Sequence, residues 1–241
     1  YKDNTALAES IIREIEKAKD KGFYDTALTD LFKESNIKNA YWSNWWRVYG
    51  LGLVGSLEGV IFSNWNQIEK VPTDAQLLGY GLDFGYTNDP TALVAVYRYN
   101  QEIIIDELIY STGLLNSDII AKMTSLGVND RALIYADSAE PKTIEEIRRS
   151  GFNIHATVKG ADSINFGIGI LQEQKIRITS NSINLIKELR NYTWDKDKNG
   201  AKLNKPIDAW NHGIDALRYF AMMALKKKAN SFVIIGGKVV Q

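Results

Sequence analysis

The sequence predicts a mixed α/β sheet with helices on both faces, preceded by a helical and aromatic-rich leading segment. Three observations predict it. Three strand-length apolar runs follow one another from residue 78, separated by short turns. Strand-like and helix-like patterns then alternate to about residue 192. Amphipathic helical spacing opens the chain and dominates its last third.

The elements follow in order. Residues 5–20 place Leu7, Ile11, Ile12 and Ile15 at helical spacing with charges on the other face. Asp25–Lys33 reads as a second short helix. Tyr41, Trp42, Trp45, Trp46 and Tyr49 then cluster in a stretch with little charge. Such rings either stack on bases or anchor the leading segment, and the aromatic share of protein cores favours anchoring. Gly50–Phe62 holds four glycines among apolar residues and reads as a bent hairpin.

Leu78–Phe84, Thr91–Tyr99 and Glu102–Tyr110 read as strands. The turn residues Asn88-Asp89-Pro90 and Tyr99-Asn100-Gln101 between them predict an antiparallel meander. Asn116–Leu126 is a helix starting at an Asn/Ser cap. Ala132–Ala136 is a strand, and Pro141–Ser150 a helix with proline in its first turn. Strands at Asn153–Val158 and Lys175–Ile178 flank a helix over Ser163–Glu173, and Ser182–Tyr192 is a further helix. Asp195–Gly200 is a hairpin tip, and Asp208–Lys227 a long final helix with Trp210, Ile214, Leu217 and Ala221 as its core stripe.

Composition bounds the chemistry. The 241 residues are enough for one or two domains; 45% are apolar and 24% charged, as in a folded globular chain rather than a disordered one. No apolar run reaches the roughly 20 residues of a membrane span, and no secretory signal pattern opens the chain. With no cysteine there is no disulfide and no cysteine-ligated metal, which points to a reducing compartment. Lys+Arg and Asp+Glu are both 29, so a DNA-binding role must rest on a local patch or on metal ions. The first residue is tyrosine, and the expectation is a fragment of a longer protein.

Asp83 ends the apolar run Tyr80-Gly-Leu-Asp83, and Asp137 ends Ala132-Leu-Ile-Tyr-Ala-Asp137. A carboxylate at the end of an apolar strand needs a base, a helix to cap or a cation, because an unpaired buried charge is costly. For Asp137, capping the following helix is the competing reading. On the last helix Asp208, His212 and Asp215 step by four and three and form a separate stripe. Asp208 fits a helix cap equally well, whereas Asp215 sits where aspartate needs a partner. Three carboxylates from two strand ends and a helix can hold two divalent cations ~4 Å apart, the arrangement that cleaves phosphodiesters. Oxygen ligands select Mg²⁺ or Mn²⁺, and His212 is placed to donate a proton or act as an outer ligand.

Gly81-Leu-Asp-Phe-Gly-Tyr-Thr-Asn-Asp-Pro-Thr-Ala92, Tyr135-Ala-Asp-Ser-Ala-Glu-Pro141, Val158-Lys-Gly-Ala-Asp-Ser-Ile164 and Asn211-His-Gly-Ile-Asp-Ala-Leu-Arg-Tyr219 resemble, in order, the nuclease domain of the terminase large subunit of tailed phages and prophages. The resemblance implies a ribonuclease-H-like fold and a two-metal endonuclease that cuts concatemeric viral DNA during packaging. It implies Asp83, Asp137 and Asp215 as metal ligands with His212 beside them, and leaves Asp208 as a fourth acid or a cap. Lys159 falls in the family's lysine–glycine loop, as a contact to DNA or the active site or as a solvated loop lysine. The implied partners are double-stranded DNA, a portal protein and a small terminase subunit, with no membrane, in the host bacterial cytoplasm.

The leading residues, including Trp46-Arg-Val-Tyr-Gly-Leu-Gly52, resemble the end of the family's ATPase domain and its linker. The expected division is therefore 1–77 linker and ATPase remnant, 78–228 nuclease and 229–241 tail. No G-x-x-x-x-G-K-[ST] loop occurs, so this stretch carries no ATP site. Three other readings remain open. Resolvases and transposases share the three-acid chemistry. Asp83-Phe-Gly-Tyr-Thr87 resembles the first phosphate loop of sugar-kinase-like ATPases, although no second copy of that half occurs. Lys226-Lys-Lys228 and Phe232–Ile235 suit a non-catalytic docking module.

Overall fold

The computed structural model describes residues 9–29, 31–39, 42–43, 46–47, 50–51, 59–197, 200–225, 233–235 and 238–240. The chain forms two compact units. One joins Asn64–Leu185 to Asn211–Gln241, and the other joins Tyr1–Ser63 to Ile186–Trp210.

The larger unit is built on a seven-stranded sheet: β1 (Trp65–Ile68), β2 (Gln76–Asp83), β3 (Thr91–Tyr99), β4 (Glu102–Ser111), β5 (Ile134–Ala136), β6 (Ile154–Ala156) and β7 (Ile176–Thr179). Their order across the sheet is β1-β7-β4-β3-β2-β5-β6. Strands β2, β3 and β4 form the expected antiparallel meander, and every other pairing in this sheet is parallel. The helices of the unit are α2 (Asn116–Ser125), α3 (Pro141–Arg149), α4 (Ser163–Gln172) and α6 (His212–Phe220), with α5 (Ile183–Asn191) running across the boundary between units.

The two-residue period of the strands decides what each face does. Tyr80 and Leu82 of β2, Leu93 and Ala95 of β3, and Ile134 and Ala136 of β5 pack with Ile119 and Met123 of α2 and Ile144 and Ile147 of α3. The alternate residues face α6. A Cβ on Gly81 would lie 1.9 Å from the carbonyl oxygen of Ala216, so glycine is what lets the α6 backbone rest on β2. On β5, Tyr135 meets Phe220 of α6 with ring centroids 6.1 Å apart. Asp83 and Asp137 share the parity of Gly81 and Tyr135, so both project toward the α6 side.

Three expectations for this unit are corrected. The final helix starts at His212 rather than Asp208, because residues before it are claimed elsewhere. Ile207 N–H donates to the Thr193 carbonyl, and Trp210 takes a left-handed φ of 60° that breaks helical continuation. Trp210 therefore does not belong to the helical core stripe, while Ile214, Leu217 and Ala221 are buried as expected. The helix ends in one π turn, Ala221–Leu225. At the start of α2 the cap position is Leu115 rather than an Asn or Ser: Leu115 N–H donates to the Asp118 carboxylate, and the Asn116 amide donates to Glu146 instead. Strand β1, unmarked in the sequence reading, pairs with β7 from Trp65 to Ile68; its two central residues, Asn66 and Gln67, are polar and exposed, so it carries no apolar run.

In the smaller unit α1 (Glu9–Gly22) supplies Ile15 and Ala18 to a core shared with Phe23 and Trp46. Trp46 is buried edge-on against Phe23 at 5.9 Å, an anchoring role rather than a stacking platform. The expected helix over Asp25–Lys33 is absent among the described residues, and a short 3₁₀ turn at Glu34–Asn36 follows instead. Side chains outcompete the helix there: Asn36 Oδ1 accepts from Asp25 N–H, its amide donates to the Asp25 and Leu31 carbonyls, and Asp25 Oδ1 accepts from Ala27 N–H. The hairpin β8 (Trp194–Lys196) and β9 (Lys202–Pro206) forms around the expected tip. Leu7, Tyr41, Trp45, Tyr49, most of the glycine-rich 50–62 stretch, Lys226–Lys228 and Phe232 lie outside the described residues. Beyond them, β10 (Val233–Ile235) and β11 (Lys238–Val240) pair antiparallel. No described helix is long and apolar enough to cross a membrane.

Candidate active site

The register of β2 and β5 builds the site. Leu82 pairs with Ala136 in the parallel ladder, so Asp83 and Asp137 occupy the next position on neighbouring strands. Neighbouring strands run roughly 5 Å apart. The Gly81–Ala216 contact sets α6 against the same strand, with Asp215 one residue before it.

Asp83 is 8% exposed. Burial pushes its carboxyl up to about 6; the His212 ring beside it works against this, while the charges of Asp215 and Asp137 add to it. His212 Nδ1 lies 3.4 Å from Asp83 Oδ2, and Nε2 lies 3.6 Å from Asp89 Oδ1. The histidine thus stands between two acids, one ending β2 and one in the turn that leads to β3.

Asp137 is held from three sides. Lys159 Nζ reaches Oδ1 at 2.5 Å, Ala139 N–H donates to Oδ1 at 2.8 Å, and the Tyr219 hydroxyl donates to Oδ2 at 3.0 Å. Burial raises its carboxyl, but Lys159 and these hydrogen bonds outweigh burial and hold it below the usual range. Glu140, not Asp137, occupies the N-cap position of α3, and it makes no side-chain cap bond, so Asp137 is not the cap residue.

Asp215 is raised by burial and lowered, less strongly, by Arg218. Arg218 Nε and Nη2 both lie 3.0 Å from Asp215 Oδ1, and Arg218 is 3% exposed. Burial and the charges of Asp83, Asp215 and Asp137 raise Tyr219, so its hydroxyl stays protonated as a donor among the three acids.

The structure therefore brings Asp83, Asp137, Asp215, His212 and Lys159 within electrostatic reach of one another. Asp208 is exposed, in the bend before α6, and not on the helical line with His212 and Asp215. Among the described residues, no three acidic or histidine side chains are drawn tightly enough together to form a finished metal cage. Lys159 and Arg218 instead neutralise Asp137 and Asp215. The donor chemistry nonetheless fits a hard divalent cation. Asp83 is buried, with Asp215 and Asp137 near enough for their charges to act on it, so the groups gathered here are hard oxygen donors.

Arg218, Tyr219 and Asp89 were not marked as site residues by sequence reasoning. Arg218 and Tyr219 sit three and four positions after Asp215, which is one helical turn, and this spacing was the available signal. A cleft of about 560 Å³ adjoins the site, lined by Phe84, Gly85, Asp89, Glu140 and Glu146 among others. Its acids would repel a phosphodiester.

The terminase RNase H-like domain family matches residues 83–222. The chain belongs to that family. The terminase large subunit of Bacillus phage SPP1 is 34% identical over 184 residues, covering 70% of this chain and 43% of that protein. The chain thus spans less than half the length of this curated relative. The crystal structure of the SPP1 large terminase nuclease domain with bound Mn matches with 29% identity and a TM-score of 0.58, over 66% of this chain and 95% of that one. The nuclease domain of the P22 large terminase matches in fold, with 16% identity and a TM-score of 0.53, over 68% of this chain and 91% of that one. The ribonuclease-H-like architecture expected from the sequence is the one these terminase nuclease domains share.

Proposed function

We propose that this chain is the nuclease part of a phage or prophage terminase large subunit, an endonuclease that cuts concatemeric viral DNA during packaging. The observation that carries the reading is the register Leu82–Ala136, which sets Asp83 and Asp137 at adjacent strand ends beside Asp215. The family membership and the Mn bound by the SPP1 nuclease domain support it.

Asp83, Asp137 and Asp215 would hold Mg²⁺ or Mn²⁺, as a pair of ions. Bound there, the metal supplies the Lewis acidity that makes a water nucleophilic and stabilises the departing oxygen. The chain's own groups do the rest. His212, between Asp83 and Asp89, would serve as the proton donor to the departing oxygen. Tyr219 fixes the orientation of Asp137. Lys159 keeps Asp137 ionised before substrate arrives and brings positive charge to the phosphate. With net charge zero, the phosphate would be met by local charges and the metal rather than by an overall basic excess. Portal protein and small terminase subunit are the partners in this reading, and the host bacterial cytoplasm the place of action.

The test is supercoiled plasmid incubated with the chain and Mn²⁺, with EDTA, and with Asp137→Asn. Nicking that needs the metal and is lost in the variant supports the proposal. Metal-independent nicking, or a fully active variant, contradicts it.

A further inference from the structure

Helix α4 contains two glycines, Gly167 and Gly169, in otherwise apolar surroundings. Their environments differ sharply. A Cβ on Gly169 would meet nothing within 4 Å, whereas one on Gly167 would lie 2.2 Å from Cγ and 2.8 Å from Cδ of Arg218. Gly167 is therefore the floor on which the aliphatic stem of Arg218 lies. These are the near carbons of a side chain that is 3% exposed, so the stem has no open route by which to yield. At its far end the guanidinium directs both Nε and Nη2 to one oxygen of Asp215, Oδ1, at 3.0 Å each.

We infer that Arg218 is a positioning residue of the metal site: seated on Gly167, its guanidinium fork holds Oδ1 of Asp215 and so sets how that carboxylate is presented to a cation. The inference rests on the metal-dependent reading above. Two donors of one rigid, planar fork converging on Oδ1 locate that oxygen more firmly than a single rotatable ammonium does. Residues that hold a metal-binding side chain in this way commonly govern affinity as strongly as some ligands do. An arginine beside a cation site also repels the cation, so removing its charge would mix two opposing effects. Variants that keep the charge isolate the positioning role.

The experiment is titration calorimetry of Mn²⁺ into the 241-residue chain, with circular dichroism and thermal melting on each variant. Arg218→Lys keeps the charge and loses the fork. Gly167→Ala keeps the arginine and lifts its stem. Each should weaken Mn²⁺ binding about tenfold in a chain that remains folded. The double variant should be no weaker than the weaker single one, because both act on the same contact. Gly169→Ala is the control: it adds a better helix former into open space and should leave Mn²⁺ binding unchanged.

Wild-type affinity in both folded single variants would overturn the inference while leaving the metal site intact. A full additional loss from Gly167→Ala in the Arg218→Lys background would show that the glycine does not act through the arginine. Unfolding of both single variants would assign the contact to folding instead. Failure of the wild-type chain to bind Mn²⁺ would remove the inference together with the reading it rests on.

Discussion

The hydroxyl of Tyr219 donates to Oδ2 of Asp137 at 3.0 Å, joining α6 to the end of β5 across 82 positions of sequence. The same hydroxyl lies 3.4 Å from Lys159 Nζ, whose ammonium holds the other oxygen of Asp137. Each oxygen of this carboxylate therefore has its own donor, and the carboxylate's plane is set by both.

Tyr219→Phe removes one of these donors without changing the ring packing. The folded variant should need about tenfold more Mn²⁺ for half-maximal plasmid nicking, the usual scale for losing a group that orients a ligand. An unchanged metal requirement would show that the donors on the other oxygen, Lys159 and the Ala139 N–H, suffice to orient Asp137.

Asp83 makes the site costly to the fold. Its carboxyl is raised from the ordinary 3.8 to about 6, burial first among the causes, so the folded chain holds this proton more tightly than the unfolded one. Where the native state binds more protons, stability falls as pH rises. The contribution of Asp83 is thus full below the ordinary value and is lost as pH passes through about 6. Asp83→Asn removes the dependence. In EDTA it should be more stable than wild type by about 3 kcal/mol well above that point, with the advantage fading toward pH 4. Urea denaturation at pH 8, 6 and 4 measures this. A variant less stable than wild type at pH 8 would mean that Asp83 is adequately paired, and nicking should be lost in the variant throughout.

How much of this was legible in the sequence follows from the same physics. Asp83 and Asp137 were visible because charge at the end of an apolar run has few explanations, and the meander was visible because its turns carry Asn, Asp and Pro. Asp215 and His212 were visible as neighbours on a helix. Asp208 was drawn onto that helix because its spacing fits, yet spacing carries no sign of the left-handed φ at Trp210 or of the Ile207–Thr193 bond that delay the helix. The Asp25–Lys33 helix failed for a related reason: local side-chain bonds from Asn36, outside the segment, captured its backbone. Arg218 stayed hidden because a buried arginine reads as surface until its partner and the glycine beneath it are seen.

Gly81 is the position where fold and site meet most closely. Gly81→Ala would drive a Cβ to 1.9 Å from the Ala216 carbonyl oxygen, which is backbone and cannot rotate away. The expected cost is about 3 kcal/mol, at the upper end for overpacking, because α6 must lift from β2. Any variant that still folds should lose nicking more than stability, since the lift separates Asp215 from Asp83. A melting temperature equal to wild type would contradict the close approach.

Without metal the chain should bind duplex DNA weakly and with little sequence preference, given its balance of 29 positive and 29 negative residues. Fluorescence anisotropy at physiological salt in EDTA should give a Kd of about 1 µM or weaker, in the nonspecific range. Tighter binding would reveal a basic surface that carries the DNA independently of the acids.

Anomalous diffraction from crystals of the 241-residue chain soaked in Mn²⁺ bears most directly on the three-acid reading. Two peaks ~4 Å apart are expected, with carboxylate oxygens of Asp83, Asp137 and Asp215 about 2.1 Å from them and Lys159 displaced from Asp137. Peaks bound elsewhere, or an Asp137 still gripped by Lys159 with no ion beside it at saturating Mn²⁺, would contradict the account.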